Sequence, residues 1–139
     1  MLVKELMSTN VEYITPDTSI KRAAEIMKDK DIGFLPVGEN DRLVGMITDR
    51  DIAIRAVAGG MDPNTAKVRE VMTKDVVYCY EDQPVEEAAS MMEEKQVRRL
   101  SVLNRDKRLV GICSIGDIAN INQDSKLSGE LIESVSAHH

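Results

Sequence analysis

The sequence predicts an α/β fold of the α+β kind: two β-α-β-β-α units packed as a pseudo-two-fold pair. Three observations carry this. The chain has 139 residues, 42% of them hydrophobic, which suits one compact domain or two very small ones. The sequence repeats itself once. Within each copy, apolar residues switch between strand-like runs and helical spacing.

The repeat is read directly. Val3-Lys4-Glu5-Leu6-Met7-Ser8 returns as Val68-Arg69-Glu70-Val71-Met72-Thr73, and Leu35-Pro36-Val37 as Leu100-Ser101-Val102. Arg42-Leu43-Val44-Gly45 returns as Arg108-Leu109-Val110-Gly111, and Asp51-Ile52-Ala53 as Asp117-Ile118-Ala119. The offset is 65 residues before the polar stretch Asn104–Lys107 and 66 after it. One extra residue would flip every side chain of a strand but is tolerated in a turn, so the insertion places a hairpin turn there. Two copies are too few for a solenoid. A half of this size has little core of its own, so the halves are expected to fold together over a shared surface.

Each copy reads the same way. A first strand is predicted over Val11–Thr15 and again over Val76–Tyr80. A helix follows, because Ile20, Ala23, Ala24 and Met27, and then Val85, Ala88, Ala89 and Met92, fall at i, i+3, i+4 and i+7. Asp17 and Asp82 are candidate N-caps, and Pro84 fits a first helical turn. Two strands come next, Phe34–Val37 with Leu43–Ile47 and Leu100–Leu103 with Leu109–Cys113. A second helix opens near Thr48 or Ser114. The expected organisation is unit 1 with a turn-rich connector at 1–64, unit 2 at 65–121, and a tail at 122–139. In that tail Leu127, Leu131, Ile132 and Val135 mark an amphipathic helix.

Composition narrows the function. The net charge of −6 argues against nucleic-acid binding, which needs clustered positive charge. No apolar run nears the roughly 18 residues of a membrane-spanning helix, and the N-terminus lacks the apolar stretch of a secretory signal, so a cytoplasmic protein is expected. Two cysteines, Cys79 and Cys113, sit in apolar runs and read as buried, reduced thiols. His138 and His139, the only histidines, end the chain as a purification tag does and are set aside. Without them no Ser–His–Asp or Cys–His arrangement exists. No Gly-x-x-x-x-Gly-Lys loop occurs, and no enzyme activity is expected.

The repeated Gly45-Met46-Ile47-Thr48-Asp49-Arg50-Asp51 and Gly111-Ile112-Cys113-Ser114-Ile115-Gly116-Asp117 carry the chemistry. In both a strand ends and a hydroxyl residue opens a helix, whose free N–H groups favour an anion. The hydroxyl can donate to phosphate. An ionised Asp only accepts, which suits the hydroxyls of a ribose. The same Thr48-x-x-Asp51 and Ser114-x-x-Asp117 spacing also fits a capping box that stabilises the helix start without any ligand. The two roles can coexist.

These segments, duplicated in place, resemble tandem CBS-domain proteins, named after cystathionine beta-synthase, over residues 3–121. The resemblance implies two units forming a disc-like pair, often dimerised through its helices. It also implies a regulatory role, with adenosine-containing ligands bound in clefts between the units: AMP, ADP or ATP, with NAD or S-adenosylmethionine as further candidates, and no obligatory cofactor. Carried over by motif position, one cleft gathers Ser114, Asp117 and Arg99 with the segments near Met7, Glu12, Gly33 and Phe34. The other gathers Thr48, Arg50, Asp51 and Arg98 with those near Met72, Val77 and Val97. The alternative reading is a scaffold dimer with empty clefts and a protein partner, for which the tail offers a contact.

Overall fold

The computed structural model describes residues 1–120 of the chain. The predicted tail helix lies outside the described residues. The chain forms two compact units, and they do not follow the order of the repeat. The first unit is Glu12–Val76. The second joins Met1–Val11 to the chain from Val77 onward.

In the first unit, Ile14 makes a single parallel bridge to Val37, where Val11–Thr15 was expected to run as a strand. Helix α1 (Ile20–Lys30) is capped by Ser19, whose side chain accepts from the Arg22 N–H at 3.1 Å. Asp17, the expected cap, instead pairs with Arg69. Helix α1 ends at Asp31 in the left-handed region, with Lys28 and Lys30 in its last turn, where cations favour the negative end of the helix. Strands β1 (Phe34–Glu39) and β2 (Arg42–Thr48) form an antiparallel hairpin. Both of its turn residues, Asn40 and Asp41, have positive φ, the signature of a type I′ turn that matches strand twist. After β2 comes helix α2 (Asp49–Asp51), which continues as a π-helical segment, Ile52–Val57.

The second unit repeats this plan with a fuller sheet. Strand β3 (Tyr78–Tyr80) runs parallel to β4 (Arg99–Leu103), which is antiparallel to β5 (Leu109–Ser114), in the order β3-β4-β5. Strand β4 is therefore central, and Ser101 does not lie on a sheet edge. Pro36 holds the equivalent place in β1 and has no N–H to give the neighbouring strand. That accounts for the single Ile14 bridge in one unit and the three-residue β3–β4 pairing in the other. Helix α3 (Val85–Lys95) starts after Pro84, which sits at the N-cap without a side-chain cap bond. Asp82 is again not the cap. It pairs with Arg105 at 2.8 Å, and the Arg105 guanidinium lies 4.1 Å from the centre of the Tyr80 ring. The insertion falls in the predicted hairpin turn: Asn104 Oδ1 accepts from the Asp106 and Arg108 N–H groups, and Lys107 takes the positive φ. Helix α4 (Ile115–Ala119) follows β5.

Each unit has its own core, contrary to the expectation that a half would have little. The first buries Ile14, Ile20, Ala23, Ile26, Met27, Leu35, Val37 and Ile47 with Val68 and Val71. The second buries Val3 with Cys79, Val85, Ala88, Ala89, Met92, Leu100, Val102, Cys113 and Ile118. Val3 comes from the first sequence copy and Val68 and Val71 from the second. The two copies have exchanged their N-terminal segments.

The exchanged segments are built alike. Val3–Glu5 and Val68–Glu70 are short 3-10 turns. Glu5 and Glu70 fold back to accept from the Leu2 and Lys67 N–H groups, at 2.5 and 2.6 Å. Next, Ser8 exchanges two hydrogen bonds with Ile112 of β5 (2.9 and 3.0 Å), and Thr73 exchanges two with Met46 of β2 (2.8 and 2.9 Å). Glycine is required opposite. A Cβ on Gly111 would lie 2.5 Å from Met7 Sδ and 2.9 Å from the Ser8 carbonyl oxygen. One on Gly45 would lie 2.9 Å from both Met72 Sδ and the Thr73 oxygen.

Candidate functional site

Each hairpin ends in a cap of nearly the same geometry. Thr48 is extended (φ −117°, ψ 163°), and so is Ser114 (φ −118°, ψ 163°). The Asp51 N–H donates to Thr48 Oγ1 at 3.1 Å, and Asp51 Oδ2 accepts from the Thr48 N–H at 3.0 Å. The Asp117 N–H donates to Ser114 Oγ at 3.1 Å, and Asp117 Oδ2 accepts from the Ser114 N–H at 2.9 Å. The capping reading of these motifs therefore holds in both units. It leaves chemistry unused. The cap employs the Thr48 and Ser114 oxygens as acceptors, so each O–H can still donate. The cap also uses one carboxylate oxygen of each Asp and leaves Oδ1. The Asp51 side chain is 14% exposed, and its Oδ1 stands 3.9 Å from Arg55 Nε.

Strand register places further predicted residues beside these caps. Phe34 pairs with Thr48, and the Asp49 N–H donates to the Gly33 oxygen at 3.0 Å. Arg99 pairs with Ser114, and the Ile115 N–H donates to the Arg98 oxygen at 2.9 Å. Gly33 is constrained by its neighbour, since a Cβ there would lie 2.8 Å from Asp49 Oδ2. In the other copy both members of that contact differ, with Arg98 facing Ile115. Arg50, Arg98 and Arg99 are exposed.

The predicted groupings draw on both units. Ser114, Asp117, Arg99 and Met7 belong to the second unit, Glu12, Gly33 and Phe34 to the first. Thr48, Arg50, Asp51 and Met72 belong to the first, Arg98, Val77 and Val97 to the second. The side chains of Met7, Val77 and Val97 pack on the core of the second unit, and Met72 on that of the first. Glu12 forms an ion pair with Lys30 at 2.8 Å. Sequence reading missed Asp49 and Arg55. Asp49 was detectable as an acidic residue in a first helical turn, where it complements the helix dipole. Arg55 was not, since it reaches the Val71 carbonyl at 3.2 Å across the exchanged segment.

The cysteines are buried free thiols, as read from the sequence. Loss of water around them pushes the Cys79 pKa up to about 11 and the Cys113 pKa up to about 12. Among the described residues no group of three His, Cys, Asp or Glu side chains could hold a metal ion. No described helix is long and apolar enough to cross a membrane.

The sequence profile of the CBS domain matches residues 3–57 and 68–124. The chain belongs to the CBS domain family. The two CBS copies fall on the two halves of the repeat, in line with the resemblance. The CBS domain-containing protein YhcV of Bacillus subtilis is 37% identical over 134 residues, which cover 96% of this chain and 94% of that protein. Among solved structures, Hypoxic Response Protein I with two coordinated zinc ions is 39% identical, with a TM-score of 0.79, over 87% of this chain and 98% of that one. The CBS domain pair of protein MJ0100, in complex with 5′-methylthioadenosine and S-adenosyl-L-methionine, is 33% identical, with a TM-score of 0.73, over 91% and 98%.

Proposed function

We propose that this CBS pair is a regulatory sensor of adenosine-containing ligands and has no catalytic chemistry of its own. The single observation that carries the reading is the twice-built hydroxyl–aspartate cap. In both units the hydroxyl oxygen accepts within the cap, which leaves its O–H able to donate, and the cap uses only one carboxylate oxygen of the Asp; in the first unit the other faces Arg55. Ser114 and Thr48 would donate to a phosphate or to a ring acceptor. Asp117 and Asp51 would accept from ribose hydroxyls. Arg99 in the Ser114 grouping, and Arg50 and Arg98 in the Thr48 grouping, would meet anionic groups. The adenosine ligands of the MJ0100 pair support the ligand class. Binding would act by favouring one arrangement of the protein, and only by as much as its affinities for the two arrangements differ. A homodimer through the helices is part of the proposal. Ile54 and Val57 support it, three residues apart on the π-helical segment and 56% and 69% exposed, so that a partner's helix would remove both from water.

Calorimetry against AMP, ADP, ATP, NAD and S-adenosylmethionine tests the ligand. Asp51→Asn and Asp117→Asn are the informative variants, because asparagine keeps a cap acceptor and loses the charge. Each is expected to weaken one site at least tenfold with little change in melting temperature. No heat with any of the five ligands refutes the reading. The scaffold alternative is favoured by the same exposed Ile54 and Val57. It predicts a dimer in light scattering that is indifferent to AMP.

A further inference from the structure

Asp51 Oδ1, the oxygen that the first cap leaves over, faces Arg55 Nε at 3.9 Å, four residues on. An ion pair of that spacing is worth little by itself. What singles out Arg55 is its second contact. The same guanidinium donates from Nη1 to the Val71 carbonyl at 3.2 Å. Val71 is 1% exposed in the core of the first unit and belongs to the exchanged segment 68–73, which ends in the paired Thr73–Met46 bonds. Arg55 therefore touches both the candidate ligand carboxylate and the segment that completes the core. It does so from a π-helical run, Ile52–Val57, a rare form concentrated at functional sites. The second copy has no such residue. Counting 66 residues on from Asp51 gives Asp117, but from Arg55 gives Ile121, whose side chain has neither charge nor donor.

We infer that Arg55 is a positioning residue, which steadies the Asp51 carboxylate for a ribose hydroxyl and couples the first ligand site, and not the second, to the exchanged segment; the inference rests on the reading of the caps as ligand sites. A guanidinium is planar and presents its donors in fixed directions. Once the Val71 carbonyl orients it, its approach to Asp51 is oriented as well. At 3.9 Å it attracts Asp51 Oδ1 without making a hydrogen bond, so the oxygen can still accept from a ligand. Coupling of this kind is reciprocal. A seated segment that favours ligand is itself favoured by ligand, to the same degree. Ligand on the first cap should therefore hold 68–73 in place. Ligand on the second cap has no arginine through which to do the same for 3–8.

Amide hydrogen exchange of the full chain, with and without a saturating adenosine ligand, tests this. The probe is whichever of AMP, ADP, ATP, NAD and S-adenosylmethionine binds tightest in calorimetry. The Val71, Met72 and Thr73 amides, bonded to the Val68 and Met46 oxygens, are compared with Leu6, Met7 and Ser8, bonded alike to those of Val3 and Ile112. Ligand should slow the first three at least about fivefold more than the second three. Arg55→Met in an Asp117→Asn background, where the first site is left alone, should bind the probe at least about fivefold more weakly than Asp117→Asn itself. At saturation its extra slowing should be gone. Arg55→Lys keeps the charge without the planar fork, so it should recover part of the affinity and none of the extra slowing. Equal slowing of the two segments overturns the inference and leaves the sensor reading standing. So does extra slowing that survives Arg55→Met, or probe binding that Asp51→Asn leaves untouched. No heat with any of the five ligands refutes the sensor reading and the inference together.

Discussion

Met7, from the first sequence copy, seats its sulfur against Gly111, from the second, and Met72 seats its own against Gly45 in return. The pair of contacts interlocks the two copies, since each half of the molecule is completed by a segment of the other.

Gly111→Ala and Gly45→Ala should each destabilise the protein by about 1–3 kcal/mol, the usual range for forcing extra atoms into a packed site. The backbone oxygens of Ser8 and Thr73 are the obstacle, and backbone moves less readily than a methionine tip. Gly111→Ala should cost more, because its methyl would also stand closer to the Met sulfur. Urea unfolding of the two variants measures both costs.

Val3→Ala should loosen the half of the chain it is farthest from in sequence. Val3 is fully buried with Leu100, Cys113 and Ile118, and its burial contributes about 1.5–3 kcal/mol. Hydrogen exchange should rise in β3, β4, β5 and α3 and stay unchanged in α1 and the β1–β2 hairpin. Val68→Ala should give the mirror result. Loss of protection in α1 on Val3→Ala would contradict the exchange of segments.

Ser101 should distinguish its backbone from its side chain. Ser101→Pro removes the N–H that Pro36 lacks in the other copy. It should cost about 1–3 kcal/mol, as expected for a lost buried hydrogen bond. Ser101→Ala should be neutral or slightly stabilising, because the buried Ser101 hydroxyl has no hydrogen-bond partner among the described residues. The melting temperature should fall for Ser101→Pro and stay level or rise for Ser101→Ala.

The thiols should be silent in the folded state. Desolvation raises the Cys79 pKa to about 11 and the Cys113 pKa to about 12, and a thiolate is the reactive form. Iodoacetamide at neutral pH should alkylate both only after unfolding. An unfolded thiol ionises first, so stability is fully present below its ordinary pKa and declines as pH rises through and above it. Cys79→Ala/Cys113→Ala should flatten that alkaline decline. Rapid alkylation of native protein would show that these side chains are open to water.

Much of this molecule is legible in one sequence. The duplication, the helical spacing of Ile20, Ala23 and Met27, the hairpin turn marked by the insertion at Asn104–Lys107, and the Thr48 and Ser114 caps are all local. Each follows from the period of apolar residues or from hydrogen bonds that reach only three residues along the chain. The caps that Asp17 and Asp82 were expected to make were misread because Arg69 and Arg105 claim those carboxylates. Those partners lie 52 and 23 residues away, beyond what a capping motif can register.

The sequence by itself determined the repeat, the order of the main helices and hairpins, and the two hydroxyl–aspartate caps. Tertiary structure alone decided which copy each N-terminal segment completes. An apolar Val3 or Val68 suits either core, and the methionine-on-glycine contacts with their paired backbone hydrogen bonds are made alike in both halves, so no local motif marks the choice and only the path of the chain in three dimensions makes it.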